Sequence, residues 1–228
     1  MSDPENDEER CELYLISPPV IDDPNRFLAR LQAAFSGGDV ACFQLRLKGG
    51  DQPAPRSAVL AACDVLRPAA REAGVAFLIN DDPEIASEAG ADGVHVGQSD
   101  VGCAEARAIL GDDAIVGVTC HASMDLAFRA GEAGADYVAF GAFFPTETKQ
   151  APTRASAQLL SDWRLATVLP SVAIGGVTPG NCASLVAAGA DYLAVSGAVW
   201  NDPDGPAAAV AAFHRAIDAA MPARDFPS

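Results

Sequence analysis

Only two lysines occur in the 228 residues, Lys48 and Lys149, in a chain of formal charge −16. Lys48 closes the run Cys42-Phe43-Gln44-Leu45-Arg46-Leu47-Lys48, which alternates apolar and polar residues as a β-strand does. Phe43, Leu45 and Leu47 share one face; Gln44, Arg46 and Lys48 share the other. Three convergent donors, two of them cationic, suit the oxygens of a phosphate or diphosphate. Lys149 closes Phe144-Pro145-Thr146-Glu147-Thr148-Lys149, a loop that follows a second strand-like run. An acidic chain that keeps its lysines for strand ends concentrates positive charge at one anion site.

Two further runs end in carboxylates. They are Leu78-Ile79-Asn80-Asp81 and Gly97-Gln98-Ser99-Asp100. Taken singly, each aspartate reads as a helix N-cap. Taken together beside Gln44, Arg46 and Lys48, on parallel strands about 4.8 Å apart, Asp81 and Asp100 read as oxygen ligands for Mg²⁺, which commonly uses one or two carboxylates plus substrate phosphates. Asp82 and Glu84 read as solvated charges at a helix start. Ile174-Gly175-Gly176-Val177-Thr178 and Val195-Ser196-Gly197-Ala198 offer glycines whose backbone N–H groups can approach a second phosphate. Thr119, in the loop after the fifth strand, has a hydroxyl for the diphosphate or metal. Cys120-His121 beside it does not read as a nucleophile and base, because sequence neighbours on a strand face opposite ways and no third group orients them. His95 reads as structural, His214 as remote on the last helix, and Trp163 and Trp200 as packing residues.

A repeat fixes the elements that must carry these groups. Glu88-Ala89-Gly90-Ala91-Asp92, Glu132-Ala133-Gly134-Ala135-Asp136 and Ala187-Ala188-Gly189-Ala190-Asp191 each run into a short apolar strand. Each reads as a helix ending on glycine, followed within two residues by a strand. Short β-branched runs fill the gaps to give eight strands near 12–16, 40–46, 75–79, 92–96, 114–118, 136–140, 170–174 and 191–195. Helical segments over 57–72, 104–110, 123–133 and 206–220 alternate with them. The pattern predicts an α/β fold with right-handed crossovers, a single (β/α)₈ TIM barrel with its chemistry at the C-terminal strand ends. An open doubly wound sheet would call for a Gly-x-Gly-x-x-Gly turn after the first strand, and there is none. The expected organisation is an acidic, disordered tail over 1–10, one barrel over 11–222 and a short tail over 223–228.

The acidic balance, with a pI near 4.3, argues against a nucleic-acid surface. No apolar run is long enough to span a bilayer, and the polar first ten residues lack a signal peptide's apolar stretch. Six scattered cysteines without a Cys-x-x-Cys pair suit free thiols in the cytoplasm. The expected partners are small anionic substrates, with neither nucleic acid nor membrane; a homo-oligomer is compatible with the sequence.

Leu13-Tyr14-Leu15-Ile16, the Gln44 to Lys48 run, Leu78 to Asp81, Gly93 to Asp100, Gly117-Val118-Thr119-Cys120-His121, Phe144 to Lys149 and Ala173 to Thr178 together resemble the ordered motifs of the thiamine phosphate synthase family. The resemblance covers nearly the whole chain. It implies a (β/α)₈ barrel that joins hydroxymethylpyrimidine diphosphate to a thiazole phosphate, uses Mg²⁺ and releases pyrophosphate. Gln44, Arg46 and Lys48 then match the pyrimidine-diphosphate clamp, Asp81 and Asp100 the Mg²⁺ ligands, and Asn80 and Thr119 diphosphate contacts. Thr146 and Thr148 fall where the thiazole phosphate is held, Lys149 where the diphosphate is held, and Gly176, Ser196 and Gly197 in the thiazole-phosphate loops. Arg46, Lys48 and Lys149 carry the catalytic charge. Three departures stand out: Leu47 replaces the usual Glu, Asp82 replaces a common Arg, and the eighth strand ends Ser196-Gly197-Ala198-Val199 instead of Ser-Ala-Ile. The alternatives are a thiazole tautomerase, which would lean on His121 as acid/base, and a non-catalytic ligand-binding relative.

Overall fold

Eight parallel strands close on themselves in a computed structural model that describes residues 10–49, 52–145 and 154–221. They are β1 (Glu12–Ile16), β2 (Cys42–Leu45), β3 (Ala76–Asn80), β4 (Gly93–Val96), β5 (Ile115–His121), β6 (Tyr137–Gly141), β7 (Ser171–Ile174) and β8 (Tyr192–Val195). Each strand pairs with its neighbour in sequence, and β8 returns to β1 with Leu13 opposite Leu193. Helices α1 (Pro24–Ser36), α2 (Arg56–Glu72), α3 (Pro83–Ala89), α4 (Cys103–Leu110), α5 (Met124–Glu132), α6 (Ala157–Ala166) and α7 (Ala183–Ala187) fill the crossovers. The four-residue α8 (Gly197–Trp200) and the terminal α9 (Pro206–Ala220) follow β8. This is the expected (β/α)₈ barrel.

Side-chain alternation splits the apolar residues into two separate cores. The outer one, between strands and helices, holds Phe43, Phe77, Phe140, Leu193, Trp163 and Phe213 among many others. The inner one holds little apolar bulk: Tyr14, Ile16, Cys42, Leu78, Tyr137, Ala139, Val172 and Ala194. At about 1.5–3 kcal/mol per large buried side chain, the outer layer dominates the stability. The barrel interior is thereby free to be polar. Leu47, just past the end of β2, packs against the outer core and away from the mouth.

The glycines of the repeat sit at φ 61° (Gly90), 89° (Gly134) and 90° (Gly189), the left-handed conformation that turns each chain from helix to strand. The aspartates of the repeat then clasp the neighbouring strand. Oδ2 of Asp92, Asp136 and Asp191 accepts the backbone N–H of Phe77, Val116 and Ser171, each at 2.7 Å. The aspartate's own N–H donates back to the carbonyl of that same residue. Arg107 adds to the middle clasp, 2.6 Å from Asp136 Oδ2, and donates to the carbonyls of Gly111, Asp112, Ala114 and Gly134.

Two local differences from the sequence reading have clear causes. The strand read over 40–46, with its alternation carried on to Lys48, spans only Cys42–Leu45, because the next donors go elsewhere: Arg46 N–H to Ser17 Oγ at 2.9 Å and Lys48 N–H to the Pro19 carbonyl at 2.7 Å. Lys48–Gly49 instead pairs antiparallel with Gln52–Pro53. Conversely, β5 runs on to His121, so Thr119, Cys120 and His121 belong to the strand and not to the loop after it.

Candidate active site

The C-terminal strand ends open into a cavity of about 1000 Å³. A smaller cleft of about 280 Å³ lies at the opposite rim beside Asp39, Val40 and Gly74, and has no comparable cluster of charged side chains. Of the residues singled out from sequence, Gln44, Arg46, Lys48, Asn80, Asp81, Asp100, Thr119, Gly176, Ser196 and Gly197 all line the large cavity. Thr146, Thr148 and Lys149 lie outside the described residues.

One side of the mouth is ionic. Lys48 Nζ is 2.9 Å from Asp81 Oδ2, and both side chains are about a quarter exposed (22% and 29%). Asp81 stands at φ 68°, in the left-handed region that a non-glycine residue rarely adopts. That backbone turn follows β3 directly and brings the carboxylate close enough to act electrostatically on Asp100. Burial by itself would raise the Asp81 carboxyl. Hydrogen bonds from Lys48 and Asp100, with the charges of Lys48 and Arg46, hold it below the usual carboxylate range. Asp100 goes the other way: burial and the negative Asp81 push it up, against the stabilising N–H of Gly97 at 2.8 Å. Burial also lowers the Arg46 guanidinium, opposed by Asp81. Neither aspartate is a helix cap: Asp82 caps α3 through the Ile85 N–H, and Gly102 precedes α4. Two carboxyl groups lining one cavity, one favouring the charged form and one resisting it, form a donor pair that a hard divalent cation fits. Among the described residues no cluster of three or more His, Cys, Asp or Glu side chains could hold a metal, so such an ion would draw its remaining oxygens from substrate or water.

The other side is built from backbone. Gly175 and Gly176 have φ of 103° and 64°. A Cβ at Gly176 would lie 2.3 Å from the Pro145 carbonyl oxygen and one at Gly175 would lie 2.4 Å from Ala142 Cβ, so only glycine allows this turn. Ser196 Oγ donates to the Ser17 carbonyl at 3.2 Å.

The floor contains what the sequence reading missed. His95, read as merely structural, lines the cavity and lies 2.7 Å from Thr119 Oγ1 and 2.9 Å from Tyr137 Oη. Tyr137 reaches Tyr14 at 2.9 Å; Tyr14 donates to Gln44 Oε1 at 3.2 Å, and Gln44 Nε2 donates to Asn80 Oδ1 at 2.9 Å. Gly117 faces inward where a Cβ would lie 1.9 Å from Tyr137 Cζ, so its missing side chain is the space the tyrosine occupies. Ser17, 1% exposed, accepts the Arg46 N–H and donates toward the Arg46 carbonyl. The parity of Tyr14, His95 and Tyr137 was a signal: each falls on the inward face of its strand. The separation of Cys120 from His121 holds, since a bulge turns Cys120 fully into the outer core, where burial pushes its thiol up to about 12. His121 lines the mouth at φ 52°. Trp163 packs between Phe128 and Phe140, while Trp200 also borders the cavity, its Nε1 donating to the Ile16 carbonyl at 2.6 Å.

The family model described as thiamine monophosphate synthase matches residues 13–199. The chain is 56% identical over 207 residues to the thiamine-phosphate synthase of Rhodospirillum centenum, covering 91% of this chain and 98% of that protein. It is 52% identical over 214 residues to the enzyme of the same name from Hyphomonas neptunium, covering 94% and 97%. Among solved structures, thiamine phosphate pyrophosphorylase from Pyrococcus furiosus superposes with a TM-score of 0.79 at 26% identity, covering 92% of this chain and 96% of that one.

Proposed function

Because the chain belongs to the thiamine monophosphate synthase family and is an enzyme of its condensation reaction, we propose that the two sides of the mouth bind its two reactants separately. Hydroxymethylpyrimidine diphosphate takes the ionic side and thiazole phosphate the glycine side. One observation carries this reading: Arg46, Lys48, Asp81 and Asp100 line one cavity together with the Gly175-Gly176 turn and Ser196-Gly197.

In this reading Arg46 and Lys48 bind the diphosphate, with Asn80 as a neutral donor and Gln44 beneath. Lys149, Thr146 and Thr148 belong to the same reading on the family resemblance, Lys149 toward the diphosphate and the threonines toward the thiazole phosphate. Asp81 and Asp100 would hold Mg²⁺, whose contribution when bound is to neutralise diphosphate oxygens. The C–O bond to the diphosphate breaks with its electron pair, giving a pyrimidinylmethyl cation delocalised by the ring amino group. The thiazole nitrogen then supplies the pair for the new C–N bond. That nitrogen carries no proton, so the step needs no general base. Catalysis is positioning and electrostatic stabilisation of the departing charge.

The fit of Lys48 to Asp81 describes the site before substrate arrives. A diphosphate would compete for the lysine, and a cation for the carboxylate. Six buried free cysteines suit a reducing cytoplasm, and no helix among the described residues is long and apolar enough to cross a membrane. The test is direct. Both substrates, with Mg²⁺ or with a chelator, are followed for thiamine phosphate. Product in the first case and none in the second is expected. Rearrangement of thiazole phosphate alone would select the tautomerase alternative, and diphosphate binding without turnover the ligand-binding one.

A further inference from the structure

We infer that Asn80, Gln44, Tyr14, Tyr137, His95 and Thr119 form one directional hydrogen-bond relay that fixes what each end offers to the mouth. Asn80 presents N–H donors; Thr119 presents oxygen lone pairs. The inference rests on the assignment of that mouth as the binding site for the pyrimidine diphosphate.

The direction follows from counting protons. Gln44 Nε2 donates to Asn80 Oδ1, so the Asn80 amide keeps its N–H groups for the cavity. The Gln44 oxygen must then accept, and Tyr14 donates to it. A phenol has one proton, so Tyr14 receives from Tyr137, whose proton is spent in turn. Tyr137 therefore accepts from His95, which makes the imidazole the Nδ1–H tautomer. Its Nε2 is left as an acceptor, and the Thr119 hydroxyl donates to it. Burial pushes both phenols well above their ordinary range, so neither is an alternative acceptor-only phenolate.

The six residues come from six different strands, β1 to β6. Tyr14 and Tyr137 lie beneath the cavity and do not line it, so they are positioning residues that act through Gln44 and His95. The chemical consequence concerns Thr119. With its proton committed to His95, its oxygen suits a hydrogen-bond donor or a cation and not a diphosphate oxygen directly. The exocyclic amino group of a pyrimidine, which becomes more acidic as the ring turns cationic, has that character. So does a divalent ion.

The test has a spectroscopic and a kinetic arm. Protein with ¹⁵N-labelled histidine, its His95 signals assigned by comparison with His121→Asn and His214→Asn, reports the ring tautomer through long-range ¹H–¹⁵N couplings. The wild type should show neutral Nδ1–H His95. Tyr14→Phe removes the acceptor of the Tyr137 proton, which then turns to His95 Nδ1, so the Nε2–H form should appear. In steady-state assays Tyr14→Phe should lower kcat about three- to tenfold, the scale of one buried hydrogen bond, with KM for the thiazole phosphate unchanged. Tyr137→Phe cuts the adjoining link and should act alike. Whether Thr119 meets the amino group or the ion is read from Thr119→Val: a raised Mg²⁺ requirement means the ion, an unchanged one with lowered kcat the amino group. An Nε2–H or doubly protonated His95 in the wild type, or a tautomer untouched by Tyr14→Phe, overturns the relay. The spectroscopic arm decides this even if the protein makes no thiamine phosphate, so the two readings fail separately.

Discussion

At the N-terminal rim of the barrel, Asp92, Asp136 and Asp191 each place an oxygen 2.7 Å from a backbone N–H of the adjacent strand. At the C-terminal rim, Asp81 pairs with Lys48 and shares one cavity with Asp100, with the backbone turned out of the ordinary β region at Asp81. The same side chain does opposite work at the two ends. Below, each carboxylate is matched to fixed dipoles and closes the sheet. Above, the carboxylates and cations are held near one another with capacity to spare, which is how a ligand site differs from a structural clasp. Substitutions at the two rims should therefore separate turnover from stability.

The largest effect is expected at the mouth. Arg46→Ala should lower kcat by about 10²-fold or more, the scale of losing one group that stabilises departing charge; if the family resemblance carries over to Lys149, which lies outside the described residues, Lys149→Ala should do so by a similar factor. Melting temperature in Arg46→Ala should move by no more than about 2 °C, because a partly desolvated cation is removed without leaving a hole in the outer core. A large fall in melting temperature with kcat intact would invert the comparison.

Gly117→Ala tests the layer between the rims. Its methyl would stand 1.9 Å from Tyr137 Cζ, and relieving that overlap should cost about 1–3 kcal/mol, read as a shifted urea midpoint. Since Tyr137 supports His95, kcat should fall as well. This is the one position where stability and turnover should decline together.

The clasps come next. Asp92→Ala strands one backbone N–H at the start of a strand, a loss of about 1–2 kcal/mol, or about 3–6 °C in melting temperature for a chain of this size; Asp191→Ala also strands the buried Ser171 hydroxyl, 3.0 Å from the same oxygen, and should cost somewhat more. Asp136→Ala should cost the most of the three, because Arg107 also loses its carboxylate. Turnover at saturating substrate, measured on the folded protein well below its melting temperature, should stay within about twofold. A clasp variant that folds normally but turns over slowly would show that the lower rim tunes the upper one.

The repeat exposed the barrel because its elements are local: a left-handed glycine and the strand after it are neighbours in sequence. The alternation of Gln44 and Arg46 with Phe43 and Leu45 likewise declared which side chains face inward. What the repeat concealed was the purpose of its aspartates, which reads as punctuation until Asp92 is seen against Phe77, 15 residues away. The relay was hidden for the same reason on a larger scale, since Tyr14 and Tyr137 are 123 residues apart. Inward parity marks such residues as candidates, but only closure of the barrel brings them together. Asp82, an apparent loss of charge at the site, proved to be the α3 cap, so a departure at that position tells of the helix and not of the mouth.

The finest distinction between the rims is one of sign. Asp81 is held below the usual carboxylate range. It therefore contributes stability above the unfolded-chain value of about 3.9, lost as the pH falls through its lower folded value. Asp100 is raised. Its folded form binds a proton more tightly than the unfolded chain does, so its contribution is full below about pH 3.9 and lost as the pH rises through the folded value. At neutral pH the ionised Asp100 is a liability, and Asp100→Asn removes it while keeping an oxygen for the Gly97 N–H. Its melting temperature at pH 7 should equal or exceed that of the wild type, and the gap should close as the pH drops below about 4, where the wild-type carboxyl is protonated. Asp136→Asn at the other rim exchanges a charge-assisted clasp for a neutral one and should melt lower at pH 7. If both variants shifted the same way, the two rims would not differ in how they hold negative charge. Added Mg²⁺ sharpens the contrast, since binding to the folded state alone raises melting temperature. Wild type and Asp136→Asn should both respond to the ion, and Asp100→Asn should not.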